Sequence, residues 1–153
     1  MVTRSHIAVE MLGSGFFPLA RGSCTREIEI NSGASLFRLA EAILAAFGFD
    51  LDHAFGYYDN LDDHYDSTDV HTSFADFLDD TDPDHGKSVK KTRVSAVFSP
   101  GTRRLFLFDY GDEWHFLLTC LDTGRPGRAG QPAKVVASKG KAPPQYPEEE
   151  DYD

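Results

Sequence analysis

Cysteine is scarce in this chain: Cys24 and Cys120 are the only two in 153 residues. Two thiols are too few for a disulfide-stapled scaffold. With neither a Cys-x-x-Cys pair nor a Cys–His pairing beside them, they read as small buried apolar side chains in a reducing compartment. Long apolar runs are also missing. A membrane-spanning helix needs about 18 consecutive apolar residues, and no run approaches that, so no membrane partner is expected. The first residues lack a basic stretch followed by an apolar one and a cleavage site, so no secretory signal is expected and the predicted location is cytoplasmic. Phosphate-cradling loops of the Gly-x-Gly-x-x-Gly and Walker types are absent, as is His-Glu-x-x-His. There is no internal repeat.

What is present is the composition of one globular domain with an aromatic-rich core. Hydrophobic residues make up 41%, charged residues 26%, and there are twelve Phe, six Tyr and a single Trp. The formal charge of −10 is distributed in blocks. Residues 50–85 carry twelve aspartates and no Lys or Arg, whereas residues 86–147 carry eleven basic and four acidic residues. A net negative chain neutralises few phosphates, which argues against non-specific nucleic-acid binding.

The hydrophobic periodicity predicts an α+β fold: a largely antiparallel or mixed sheet with one long helix, about 36–47, packed on it. Residues 5–11 and 24–30 alternate as half-buried strands. The connection between them, 13–18, carries Phe16 and Phe17, placed to fold back on the core. In the helix, Leu36, Ala40, Ile43 and Phe47 follow the helical period, Ser35 is placed as N-cap and Gly48 as the terminating residue. His53–Tyr58 reads as a short aromatic strand, Thr72–Leu78 and residues 88–98 as short helices, and Asp79–Gly86 as a loop. Arg104–Tyr110 and Glu113–Leu121 read as two strong strands. Gly and Pro mark 122–132 as a flexible connection, and 134–137 is a final strand. One domain is expected over 1–142, followed by a Pro-rich and then acidic mobile tail, 143–153.

The segment Phe108-Asp109-Tyr110-Gly111-Asp112-Glu113-Trp114 joins the two strong strands. Gly111-Asp112 predicts a two-residue type II′ turn, with Gly111 supplying the positive φ. That register pairs Tyr110 with Glu113, Asp109 with Trp114, Phe108 with His115 and Leu107 with Phe116. It gives a hairpin apolar on both faces, one carrying Leu105, Leu107, Phe116, Leu118 and Cys120, the other Phe106, Phe108, Leu117 and Leu121 with His115 among them. A longer loop would shift the register by a residue and exchange the faces. Asp109 and Asp112 read either as turn-makers bonding their own backbone or, with Tyr110 and Trp114, as a shallow ligand site. A second constellation lies at Asp62, His64, Asp66 and His71. Mixed carboxylate and imidazole suits Zn, Mn or Fe, although the spacing matches no metal loop. No resident cofactor is predicted; a divalent metal at that segment is the open alternative.

Three stretches resemble a family named after the third open reading frame of a plant-pathogen Ri plasmid. They are Leu36–Leu44 running into Ala46-Phe47-Gly48-Phe49 and on to His53, then Phe108–Trp114, then Gly140-Lys141-Ala142-Pro143-Pro144-Gln145-Tyr146-Pro147. The resemblance implies an α+β fold, places a histidine at His53 and brings no established function. Some members carry transposon-resolvase labels. In many, an acidic pair follows the two prolines, where this chain has Gln145 and Tyr146.

The function expected from the sequence is a binding or interaction module for an unknown protein or small ligand rather than an enzyme, with His53, Asp109, Tyr110, Asp112 and Trp114 as candidate ligand residues. The alternatives are a metal-dependent hydrolase or nucleic-acid-processing enzyme using His53 and the acids near 109–112, and a DNA accessory protein of a mobile element.

Overall fold

A computed structural model describes residues 2–77 and 85–146. Eight strands form one sheet: β1 (Thr3–Gly13), β2 (Thr25–Asn31), β3 (Phe55–Tyr58), β4 (Val70–Thr72), β5 (Lys87–Ser88), β6 (Arg103–Phe108), β7 (Trp114–Pro126) and β8 (Lys134–Lys139). Their order across the sheet is β5-β4-β3-β6-β7-β1-β2-β8. Every neighbouring pair is antiparallel except β4–β5, which is parallel.

The α+β expectation with one long helix is overturned, because the architecture is dominated by the mixed sheet. Its three α-helices among the described residues are short: α1 (Leu36–Ala46) has eleven residues, while α2 (Phe74–Phe77) and α3 (Val94–Val97) have four each. The boundaries of α1 have local causes. The Ser35 side chain accepts the Arg38 N–H, the bond expected of an N-cap. At the other end Phe47 leaves helical geometry and Gly48 takes φ +77, so the helix stops after three turns. The 88–98 segment is not one helix either. Asp76 accepts the N–H of Val89 at 3.0 Å, and Ser88 Oγ accepts the N–H of Lys91 at 3.0 Å. These bonds hold a turn after β5, and only Val94–Val97 winds into helix.

α1 lies on one face of the sheet. Leu36, Leu39, Ala40, Ile43 and Leu44 pack with Ile7, Val9, Met11, Ile28 and Ile30 and with the aromatic side chains of β6 and β7. The opposite face buries a smaller cluster of Tyr58, Leu105 and Leu107, with Leu12, Leu61, Val70 and Tyr110 against it. Phe16 and Phe17 do not fold back; they are 68% and 44% exposed. Cys24 and Cys120 are free and buried, and burial pushes both thiols up.

The β6–β7 connection is a loop of five residues, 109–113, in place of the expected two-residue turn. Phe108 pairs with Trp114, Leu107 with His115, Phe106 with Phe116 and Leu105 with Leu117. This is a shift of one residue from the expected register, and it exchanges the faces. Phe106 and Phe108 therefore join Trp114, Phe116, Leu118 and Cys120 in the α1-side core, while Leu105 and Leu107 face the other way.

The segment expected as a flexible connection is partly strand, since β7 continues through Gly124 to Pro126 along β1. Arg4, only 2% exposed, donates to Asn31 Oδ1, to the Glu29 carbonyl and to the Pro132 carbonyl, each within 3.0 Å. One buried guanidinium thus ties β1, β2 and the β7–β8 connection together.

Phe116 is fully buried against Phe47, Phe49 and Phe106 at ring separations of 5.2, 6.4 and 5.7 Å. Phe116→Ala is expected to lower stability by about 3–5 kcal/mol in urea unfolding. Leu121→Ala, on a side chain 48% exposed, should change it by less than about 1 kcal/mol.

Candidate functional site

The β6–β7 loop is built around Asp109. Its φ is +63, a left-handed conformation that a non-glycine residue adopts mainly when its short polar side chain bonds locally. Asp109 Oδ1 accepts the N–H groups of Gly111 at 3.1 Å and Asp112 at 3.3 Å. Its carbonyl accepts the Glu113 N–H at 2.6 Å, and its own N–H donates to Ala54 O at 2.9 Å. Asp109 is therefore a turn-maker, 6% exposed, with one carboxylate oxygen committed to the loop backbone.

The other oxygen, Oδ2, lies 3.6 Å from His53 Nδ1. His53 and Asp109, both chosen from sequence, are thus brought together by β3 and β6 lying side by side. His53 Nδ1 bonds Asp52 Oδ1 at 2.7 Å, and the edge of its ring meets Phe108 at 6.1 Å. Two further residues come from the other end of the chain. Tyr146 donates to Asp52 Oδ2 at 2.5 Å and lies 3.3 Å from His53 Nδ1. Gln145 accepts the Asp50 N–H at 2.8 Å and donates to Asp50 O at 3.1 Å and Asp52 Oδ1 at 3.0 Å. The segment after the two prolines is therefore fastened to the turn before β3. Asp52, Gln145 and Tyr146 were not found from sequence: Asp52 was one aspartate among twelve, and the contact joins residues more than ninety positions apart.

The electrostatics follow from this geometry. The Asp52 bond raises the His53 pKa; burial opposes it, and the charges of Asp109, Asp52 and Asp112 add to the rise, so the imidazolium is favoured. Burial alone would raise Asp52, but bonds from Tyr146 and His53 outweigh it and hold the carboxyl below its usual range. Burial, then the bond to Asp52, pushes the Tyr146 phenol up.

The remaining candidates separate. Trp114 is 1% exposed, edge-to-face with Phe49 at 4.8 Å, and its Nε1 has no hydrogen-bond partner, which makes it a core side chain. Tyr110 turns to the opposite face of the sheet. Its hydroxyl meets that of Tyr58 at 2.6 Å over Gly56, where a Cβ would stand 2.7 Å from the Tyr110 oxygen. Tyr110 helps line a cavity of about 600 Å³ together with Tyr58, Tyr65, Phe74, His64 and His85. His64 sits in a 3-10 turn (His64–Asp66), its ring 4.9 Å from that of Tyr58 and 4.0 Å from that of Tyr65. His71 is buried on β4, 3.9 Å from Asp69, and burial lowers its pKa. Asp62 and Asp66 are exposed on the connecting loop. Among the described residues no three His, Cys, Asp or Glu side chains stand close enough together to hold a metal ion.

Two measurements test this construction. Asp109→Ala loses both side-chain acceptor bonds and strains the left-handed backbone, a cost of about 2 kcal/mol in urea unfolding. Asp109→Asn keeps the acceptor and the conformational tolerance and should cost less than about 1 kcal/mol; equal losses would mean that charge, not turn geometry, is what the loop needs. Imidazole NMR titration should place His53 above 6.5, with Asp52→Asn bringing it down. A raised folded value means that the stability His53 contributes is fully present below pH 6.5 and is lost as pH rises through that folded value. His71 and His115, both lowered by burial, act in the opposite sense, weakening the fold as pH falls below 6.5.

Comparison with known proteins adds a family and a fold. No curated protein is a match. The crystal structure of a protein of unknown function, MM3350 from Methanosarcina mazei Go1, superposes with a TM-score of 0.70 at 17% identity, covering 95% of this chain and 74% of that one. At that identity the likeness is one of fold. No helix among the described residues is long and apolar enough to cross a membrane. The family model described as plasmid pRiA4b ORF-3-like protein matches residues 19–149, and the chain belongs to that family.

Proposed function

We propose that the protein is a cytoplasmic binding module whose ligand is a small molecule held in the aromatic cavity on the face of the sheet opposite α1. The observation that carries this reading is the fixed ring wall around Tyr58 and Tyr110. Their hydroxyls bond each other, Gly56 lets the Tyr110 oxygen rest against the strand, and Phe74 packs on Tyr110 at 5.0 Å. A cavity of about 600 Å³ is in the range that drug-sized molecules occupy, and walls fixed in advance reduce the ordering cost of binding. The free thiols of Cys24 and Cys120 agree with a reducing compartment.

The His53–Asp52 pair is the arrangement an acid–base catalyst would use. His53 is not among the residues that line the aromatic cavity. That separation favours binding over catalysis.

The test is a two-dimensional amide NMR screen of the full chain against amino acids, nucleosides, sugars, organic acids and organic amines. Shifts should cluster on Tyr58, Tyr65, Val70, Gly86 and Tyr110. Shifts that cluster on Asp52, His53 and Tyr146 instead would overturn the cavity as the ligand site.

A further inference from the structure

The cavity is lined by the rings of Tyr58, Tyr65, Phe74 and Tyr110. Tyr65 is 86% exposed and packs on His64 at 4.0 Å, and Phe74 stacks on His85 at 5.1 Å. The face of an aromatic ring carries the negative lobe of its quadrupole, so several faces around one space favour a cation. The loop between β3 and β4 supplies one wall of the cavity through Tyr65, Ser67, Thr68 and Asp69. That same loop carries Asp59, Asp62, Asp63, Asp66 and Asp69 and no Lys or Arg. Against these five acids stand Lys87, on the rim, and Arg104, bonded to Asp69 at 3.3 Å. Lys87 is only loosely engaged, 4.0 Å from Asp69 with its side chain 74% exposed.

From this combination we infer that the cavity takes a small organic ammonium ion, its cationic head against the tyrosine faces and its charge balanced by the acidic loop. The inference rests on the proposed cavity site and names its ligand class. An anion would meet Asp69 in the cavity wall and the rest of the acidic loop beside it, with Lys87 and the Asp69-bonded Arg104 to offset them. A neutral ligand would gain the ring contacts but nothing from the aspartates. Burial would raise Asp59, yet bonds from the Thr68 hydroxyl and the backbone outweigh it and hold it at about 2. The ring wall needs no ion pair to hold its shape, since the Tyr58–Tyr110 hydroxyl bond and the packing of Phe74 fix it.

The experiment titrates the full chain with choline chloride and with its uncharged isostere 3,3-dimethylbutan-1-ol, followed by calorimetry and amide NMR. Choline is expected to shift Tyr65, Val70, Gly86 and Tyr110 and to bind about tenfold more tightly than the alcohol, with affinity falling as NaCl is added. Tyr65→Ala, on an exposed side chain that the fold does not need, should weaken choline several-fold, and Tyr65→Phe, which keeps the ring, should restore it. Equal binding of choline and the alcohol overturns the cation assignment and leaves the cavity standing as an apolar site. Choline that shifts Asp52, His53 and Tyr146 alone, or shifts nothing into the tens-of-millimolar range, also overturns it. In that case a neutral compound that still shifts the cavity resonances preserves the binding-module reading, and the absence of any such compound removes both.

Discussion

The register between β6 and β7 is the constraint on which the other features depend. These strands are at the centre of the sheet, and their inward aromatic side chains form much of the floor under α1. Strand side chains alternate, so a slip of one residue would send Phe106 and Phe108 away from the helix and put Leu105 and Leu107 beneath it. The five-residue loop prevents that slip, and Asp109 sets the loop. Its left-handed φ and its two side-chain bonds to loop N–H groups make the chain cross over at one length. Asp109 has a structural role first, and its contact with His53 follows from where that turn must be.

The same loop explains how two candidate sites arise from adjacent residues. Asp109 meets His53 at one margin of the sheet, whereas Tyr110 passes to the opposite face and meets Tyr58. A loop that changes direction twice, through Asp109 at φ +63 and Glu113 at φ +54, separates consecutive side chains more widely than a two-residue turn could. The heptad around it is therefore not one site. It is a structural turn whose flanking residues serve two different surroundings, with Trp114 withdrawn into the core.

How much of this was legible in the sequence depends on whether the determining signal is local. The extent of α1 was legible to within a residue because Ser35, the apolar period and Gly48 are all local signals. The strong strands β6 and β7 were legible from composition. Their register was not, because positive φ was assigned to Gly111, while the structure places it at Asp109 and Glu113, residue types that adopt it less often. The sheet-dominated architecture was also hidden. Strands as short as β4 and β5 leave little periodicity, and β7 extends past Leu121 along β1, where Arg4 pairs with Arg125 and Thr3 with Pro126. Of the site residues, His53 and Asp109 were found and do meet. Gln145 and Tyr146 were missed because nothing near them in sequence announces a partner around Asp52.

Strand order turns the block distribution of charge into a spatial one. The acidic stretch contributes β3 and β4, which lie toward one end of the sheet. At the other end β2 and β8 carry Arg26, Lys134 and Lys139 beside Glu27 and Glu29, with Arg26 bonded to the carbonyls of Lys139 and Gly140. Opposite charges that alternated along the chain would largely cancel at a distance of a Debye length, about 8 Å in physiological salt. Held in a block, the acids lie around β3 and β4, with Lys87 of β5 and Arg104 of β6 beside Asp69. The aromatic cavity is lined by Tyr65, Ser67, Thr68 and Asp69 of that acidic stretch and by Lys87 of β5. The molecule's net charge of −10 is thus less informative than its placement, which the strand order, and not the composition, decides.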